Sequence, residues 1–156
     1  MDILIKTFTN PILVVPTCSW LIAQLLKAII NLLVNKKFSL ERLFGDGGMP
    51  SGHSATVSAL AVTCGIEVGF DSPLFAVAAI LAIIVMHDAT GVRRETGKQA
   101  TALIGIATVI GDYFSEVDKK VKDEKLKVMV GHSPLQVVIG AILGCVIAFS
   151  YMWIFK

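Results

Sequence analysis

Pro134 to Phe155, PLQVVIGAILGCVIAFSYMWIF, runs from a proline to a phenylalanine without one charged side chain. A helix of about 20 apolar residues crosses the roughly 30 Å hydrocarbon core of a bilayer, so this stretch reads as a membrane span. Working back along the chain, Pro73–Ala89 and Pro11–Val34 have the same character. A fourth segment, His53–Phe70, is more polar, with Ser54, Thr56, Ser58, Thr63 and Glu67 along it. Small hydroxyl residues collect where membrane helices pack closely, so this segment is expected inside the bundle. Composition agrees, since 54% of residues are apolar and 17% charged, against about 25% charged in soluble domains. With a mean hydropathy of +0.74, one small core could not hide so many apolar side chains. The expected fold is all-α: an integral membrane helical bundle of about four spanning helices plus one interfacial or cytoplasmic helix, with residues 1–156 as one domain.

Several classes drop out. The composition excludes a secreted disulfide scaffold and a disordered tail, and a net charge of +2 gives no basis for a nucleic-acid partner. Cys18, Cys64 and Cys145 lie in apolar runs without ligand spacing and read as small buried hydrophobes. The N-terminal run after Lys6 lacks a small-residue cleavage site and continues too far for a signal peptide, so it is read as a mature span. Gly140 and Gly144 form a GxxxG, read as an intramolecular packing face rather than a dimer seam; oligomeric state stays open.

Sidedness follows from the loops. Asp71-Ser72-Pro73 is a tight turn, whereas 35–50 and 90–133 are long and polar. If the chain crosses at each span, both long loops share one side, opposite the termini. That side holds Lys36, Lys37, Arg42, Arg93, Arg94, Lys98 and the five lysines between 119 and 127, eleven of the 14 lysines and arginines. The positive-inside rule puts this face in the cytoplasm, most simply at the cell membrane. Gln99–Ile110 is apolar but short and is expected as a helix at the interface or packed under the bundle. Asp112–Lys127 reads as a solvated helix, with an anionic-lipid contact as the alternative.

All three histidines fall at span ends on that face. In GGMPSGHS (47–54), Ser51 is a candidate N-cap, and the free N–H groups from Gly52 onward favour a bound anion such as phosphate. His53 in the first turn can protonate an oxygen leaving that anion; the plainer alternative is a capped helix with an incidental histidine. In HDATGVRRETGK (87–98), Arg93 and Arg94 suit bidentate phosphate contacts, or form an ordinary cationic stop. Asp88 is costly near the end of an apolar helix unless it is paired or part of a site. His87 reads as structural. In GHSPLQ (131–136), Ser133, Pro134 and Gln136 form a capping box, which leaves His132 unexplained. Two helix N-termini, each with a histidine, make a phosphoryl-transfer site in which one imidazole attacks and the other protonates the leaving group.

Pro50-Ser51-Gly52-His53 resembles the signature of the type 2 phosphatidic acid phosphatase and vanadium haloperoxidase superfamily. The three blocks GGMPSGHSA, DATGVRRETGKQA and GHSPLQVVIGAILG together resemble its divergent membrane branch. The resemblance runs from about Gln24-Leu25-Leu26-Lys27 to Gly144. It implies His132 as the nucleophile that forms a phosphohistidine, His53 as the acid for the leaving group, Ser51 and Gly52 as phosphate contacts, and no metal or other cofactor. Gln136 stands where that superfamily carries an acid beside the nucleophile. An amide oxygen orients an imidazole but does not stabilise the imidazolium as a carboxylate does. The Ser-Arg pair ahead of the nucleophile is missing, and Lys27 is what remains of an upstream Lys and Arg-Pro motif. Phosphate binding is then expected from Arg93, Arg94, Lys98 and Lys27.

The expected function is a membrane phosphatase acting on a lipid phosphomonoester or diphosphate at the cytoplasmic face. The competing expectations are a catalytically weakened relative that binds or moves anionic lipids, and a metal site built from His53, His87, His132 and Asp88.

Overall fold

The computed structural model describes residues 2–36, 48–111 and 132–156. These form six helices and no strand: α1 (Asp2–Phe8), α2 (Pro11–Asn35), α3 (Gly52–Val68), α4 (Pro73–Thr90), α5 (Val92–Gly111) and α6 (Pro134–Phe155). The chain is therefore the all-α bundle expected. The readings that fall on 37–47 and 112–131, including Asp112–Lys127, lie outside the described residues.

Local chemistry sets the helix starts. Asn10 caps α2, its side chain accepting from the Ile12 N–H at 3.0 Å ahead of Pro11. Ser72 caps α4, accepting from the Phe75 N–H at 3.2 Å, and Pro73 follows at the first helical position. Ser51 and Ser133 do the same for α3 and α6. The α3 terminus depends on Gly69, whose φ of 109° lies in the left-handed region that side chains avoid.

The organising element is α3, which packs against α2, α4 and α6. Ten of its 17 residues are buried, and nearly all of them are Gly, Ala, Ser, Thr or Cys. Small side chains let the backbones approach. A Cβ on Gly140 would strike the Ser51 carbonyl and come within 3.1 Å of Ser51 Cβ. One on Gly144 would strike the Ala55 carbonyl and lie 2.9 Å from the Ala59 nitrogen. The GxxxG thus packs inside the molecule, as expected. The same Ala55 carbonyl accepts from the buried Ser19 hydroxyl of α2 at 3.1 Å.

Among the described residues, three helical stretches are long and apolar enough to cross a membrane: Pro11–Val34, Pro73–Ile106 and Pro134–Phe155. The fourth expected span is α3, one residue longer at its start than expected and two shorter at its end. Its seventeen residues at 1.5 Å per residue reach about 26 Å. Its polarity is met inside the bundle, and the large apolar side chains face outward from its neighbours. Leu25 and Leu32 of α2, Val77 and Ile84 of α4, and Val138 and Ile142 of α6 are all exposed, an apolar surface of the kind that a bilayer covers.

Directions alternate. At one end the Ser51 N–H donates to the Gln136 carbonyl at 3.1 Å, and the His132 N–H donates to the Ala89 carbonyl at 2.9 Å. At the other end Lys156 pairs with Glu67 at 3.2 Å, and Ile12 packs against the buried cluster of Ala61, Cys64 and Ala78. The helix expected over Gln99–Ile110 starts earlier, at Val92, directly after Gly91. It packs against α4 alone among the described elements, rather than under the bundle.

Candidate active site

The α3 and α6 N-termini meet. Ser51 is fully buried; its Oγ accepts from the Ser54 N–H at 3.3 Å and from the Ser54 hydroxyl at 3.0 Å. Because Ser51 also donates its own N–H to Gln136, the first turns of the two helices are tied together. The His53 and His132 rings stand 6.0 Å apart between centroids, edge to face at 66°.

The capping box of α6 does more than start a helix. Gln136 Oε1 accepts from the Ser133 N–H at 3.0 Å, and the Ser133 hydroxyl accepts from the Gln136 N–H at 3.4 Å. Since Oε1 faces a backbone donor, the same oxygen lies 3.2 Å from His132 Nδ1 as an acceptor. A neutral His132 therefore carries its proton on Nδ1, and the lone pair falls on Nε2. His132 is 2% exposed. Burial holds its pKa below the ordinary histidine value, and the charges of His53 and Lys27 add to that; hydrogen bonds to Gln136 and to the Gly48 backbone pull the other way.

Lys27 is 5% exposed, and its stem lies within 3.2 Å of where a Cβ on Gly48 would stand. The sequence reading gave it the smallest part, as a remnant. A buried ammonium in an apolar helix is costly, which keeps Lys27 among the candidate site residues. Gln24 was given no part in the site beyond marking where the resemblance begins, and Trp20 none at all, yet both lie over Gly52: the amide nitrogen and the indole are 3.5 and 3.4 Å from where its Cβ would stand. The signal was present, because residues 20, 24, 27 and 31 recur at helical spacing along one face of α2.

Other candidates stand apart. Arg93 and Arg94 open α5, one turn beyond Ala89, whose carbonyl accepts from the His132 N–H; their side chains lie outside the described residues. Lys98 pairs with Glu95 at 2.6 Å on an exposed surface, both side chains 59% exposed, and no described contact carries it to the histidines. Asp88 is half-buried next to Ala89, and His87 is exposed on the last turn of α4. Among the described residues no group of three or more His, Cys, Asp or Glu is arranged to hold a metal ion. The set His53, His87, His132 and Asp88 is thus not assembled as ligands.

An antiparallel membrane bundle with a PSGH turn and a second histidine at its mouth defines a class, that of PAP2-like membrane proteins. The family model described as "Divergent PAP2 family" matches residues 8–147, and the chain belongs to that family. It is 36% identical to the "Uncharacterized membrane protein YuiD" of Bacillus subtilis (strain 168), over 96% of this chain and 99% of that one. No solved structure matches it.

Proposed function

We propose that this protein is a membrane-embedded phosphatase that cleaves a lipid phosphomonoester or diphosphate through a phosphohistidine, at a site facing the cytoplasm. The observation that carries the reading is the 6.0 Å approach of the two imidazoles at paired helix N-termini, where one anion reaches both rings and the helix dipoles favour it.

His132 Nε2 attacks phosphorus, the bond from phosphorus to the lipid oxygen breaks, and protonated His53 gives its proton to that oxygen. The lipid alcohol leaves from a phosphomonoester, and the lipid monophosphate from a diphosphate. Neutral His53 then takes a proton from water, whose oxygen attacks the phosphohistidine, releasing inorganic phosphate and restoring both rings. Gln136 holds the attacking tautomer, Ser51 and the Gly52 N–H hold the phosphate oxygens, and Lys27 supplies a buried positive charge. Arg93 and Arg94 are the further phosphate contacts of this reading, with Asp88 in support. The cytoplasmic assignment rests on the loop cations.

Protein reconstituted in vesicles should release phosphate from a lipid phosphate, and His132→Ala should abolish the release; undiminished turnover by that variant would refute the mechanism. The second reading, a binder of anionic lipids, is favoured by Gln136 standing where a carboxylate would stabilise the imidazolium. Acid-labile phosphate trapped on His132 separates the two, because a binder forms none.

A further inference from the structure

Gly52 is a glycine that neither its backbone nor its packing demands. Its φ lies outside the left-handed region, unlike that of Gly48 or Gly69. A Cβ built on it would meet its three nearest neighbours at 3.4 to 3.6 Å, ordinary van der Waals contact. Between Ser51 and His53 there is therefore a methyl-sized hollow, and polar atoms bound it. Trp20 Nε1 stands 3.6 Å from that point and Gln24 Nε2 stands 3.5 Å from it. Neither nitrogen has a hydrogen-bond partner among the described residues.

An indole N–H and an amide NH2 only donate, so the atom that completes the hollow is an acceptor. An oxygen there needs to move by about 0.5 Å to lie within hydrogen-bond distance of both nitrogens. Two neutral donors carry no charge to strip of water in an apolar helix, yet they bind an anionic oxygen more strongly than a neutral one. Lys98, by contrast, is held by Glu95 on an exposed surface.

We propose that Trp20 and Gln24 are phosphate-binding residues, both donating to one oxygen of the bound phosphate that rests in the hollow at Gly52. The proposal rests on the phosphatase reading for the identity of its anion and deepens it. It supplies neutral donors where the Ser-Arg pair of the wider superfamily is missing.

The test is binding of inorganic phosphate to the full chain in detergent, followed by calorimetry, with melting temperatures recorded without phosphate. Trp20→Phe keeps a ring and removes the N–H; Gln24→Met keeps the length and removes the amide. Each should weaken binding about three- to tenfold, the range of one neutral hydrogen bond, at an unchanged melting temperature. Gly52→Ala fills the hollow and should weaken binding at least as much. No binding by the wild type, or unchanged affinity in both Trp20→Phe and Gln24→Met, would overturn the proposal. A readout independent of how those variants fold uses Trp153→Phe, which leaves Trp20 as the single tryptophan. Its emission should shift as phosphate binds; normal binding with a silent indole would put the anion elsewhere and reject the role. A short-chain phosphatidic acid that competes with phosphate and loses affinity in the same variants shows a lipid headgroup in the hollow. If only the affinity for inorganic phosphate falls, the hollow holds the free anion. Phosphate release from lipid is scored separately: a wild type that binds phosphate at Trp20 but hydrolyses no lipid phosphate ends the phosphatase reading and leaves these two donors in place.

Discussion

At the scale of single residues, the proposed function turns on one imidazole and the amide beside it. Burial disfavours the imidazolium of His132, so the attacking neutral form persists below the ordinary histidine range, and the acid limb of kcat/KM should lie below about pH 6.5. The same depression affects stability. Between the lowered value and about 6.5 the unfolded chain binds a proton that the native ring refuses. The contribution from His132 is therefore complete above about 6.5 and declines as pH falls, levelling off below the native value. Gln136→Glu should reverse the trend. Glutamate keeps the capping box and stabilises the imidazolium, so turnover should rise about tenfold, the difference between a charged and a neutral hydrogen bond. The acid limb should move up in pH with it; a pH–rate profile in which neither changes would show that Gln136 serves the helix alone. The sequence made this pair legible because Ser-Pro and Ser-Gly are helix-start signals that place the histidines beside N-termini. Gln24 stayed hidden because hydropathy averages one amide into a run of leucines, and only the 20-24-27-31 spacing betrays it.

At the scale of elements, the seam between α3 and α6 decides whether the histidines meet. Gly140 and Gly144 lie against backbone, not against yielding side-chain ends, so a methyl group there forces the helices apart. Gly144→Ala should lower stability by about 1–3 kcal/mol, the usual range for overpacking, as a fall in the detergent melting temperature. Gly140→Ala pushes directly on Ser51 and should reduce phosphate release beyond what its effect on melting explains. A Gly140→Ala protein with full activity would mean that the tie between the two N-termini is dispensable. Ser133→Ala removes the α6 cap, about 1 kcal/mol, and loosens the amide that orients His132. GxxxG was readable as a packing signal, and the structure supplies its partner, the alanine stripe of α3. The ends of α3 and α5 were less readable. Ser51 caps two residues before the histidine expected to open the span, so that α3 begins at Gly52, and the polar first turns of α5, Val92 to Lys98, hide a helix from an apolar-run criterion.

At the scale of the whole molecule, alternation of α2, α3, α4 and α6 gathers the proposed chemistry at one end. The Ser51–Gln136 and His132–Ala89 hydrogen bonds lie at that end, and the Glu67–Lys156 pair lies at the other. The tight turn at Ser72 therefore belongs to the face opposite the histidines. The proposed cytoplasmic placement of the histidine face rests separately on cation counting, because a reversed chain would carry eleven lysines and arginines outward. Single cysteines test both arguments together, in a protein whose free Cys18, Cys64 and Cys145 are changed to alanine. Cysteines at positions 39 and 120 should react with a membrane-impermeant maleimide only after intact cells are opened. One at position 72 should react from outside without lysis. Labelling of all three from the same side would break the alternation, and with it the joint mouth. Labelling of 39 and 120 from outside and 72 from inside would keep the bundle but turn the site outward, toward lipids of the other leaflet. The packing is indifferent between those orientations, since a bilayer presents the same hydrocarbon to either; only the loop charges distinguish them.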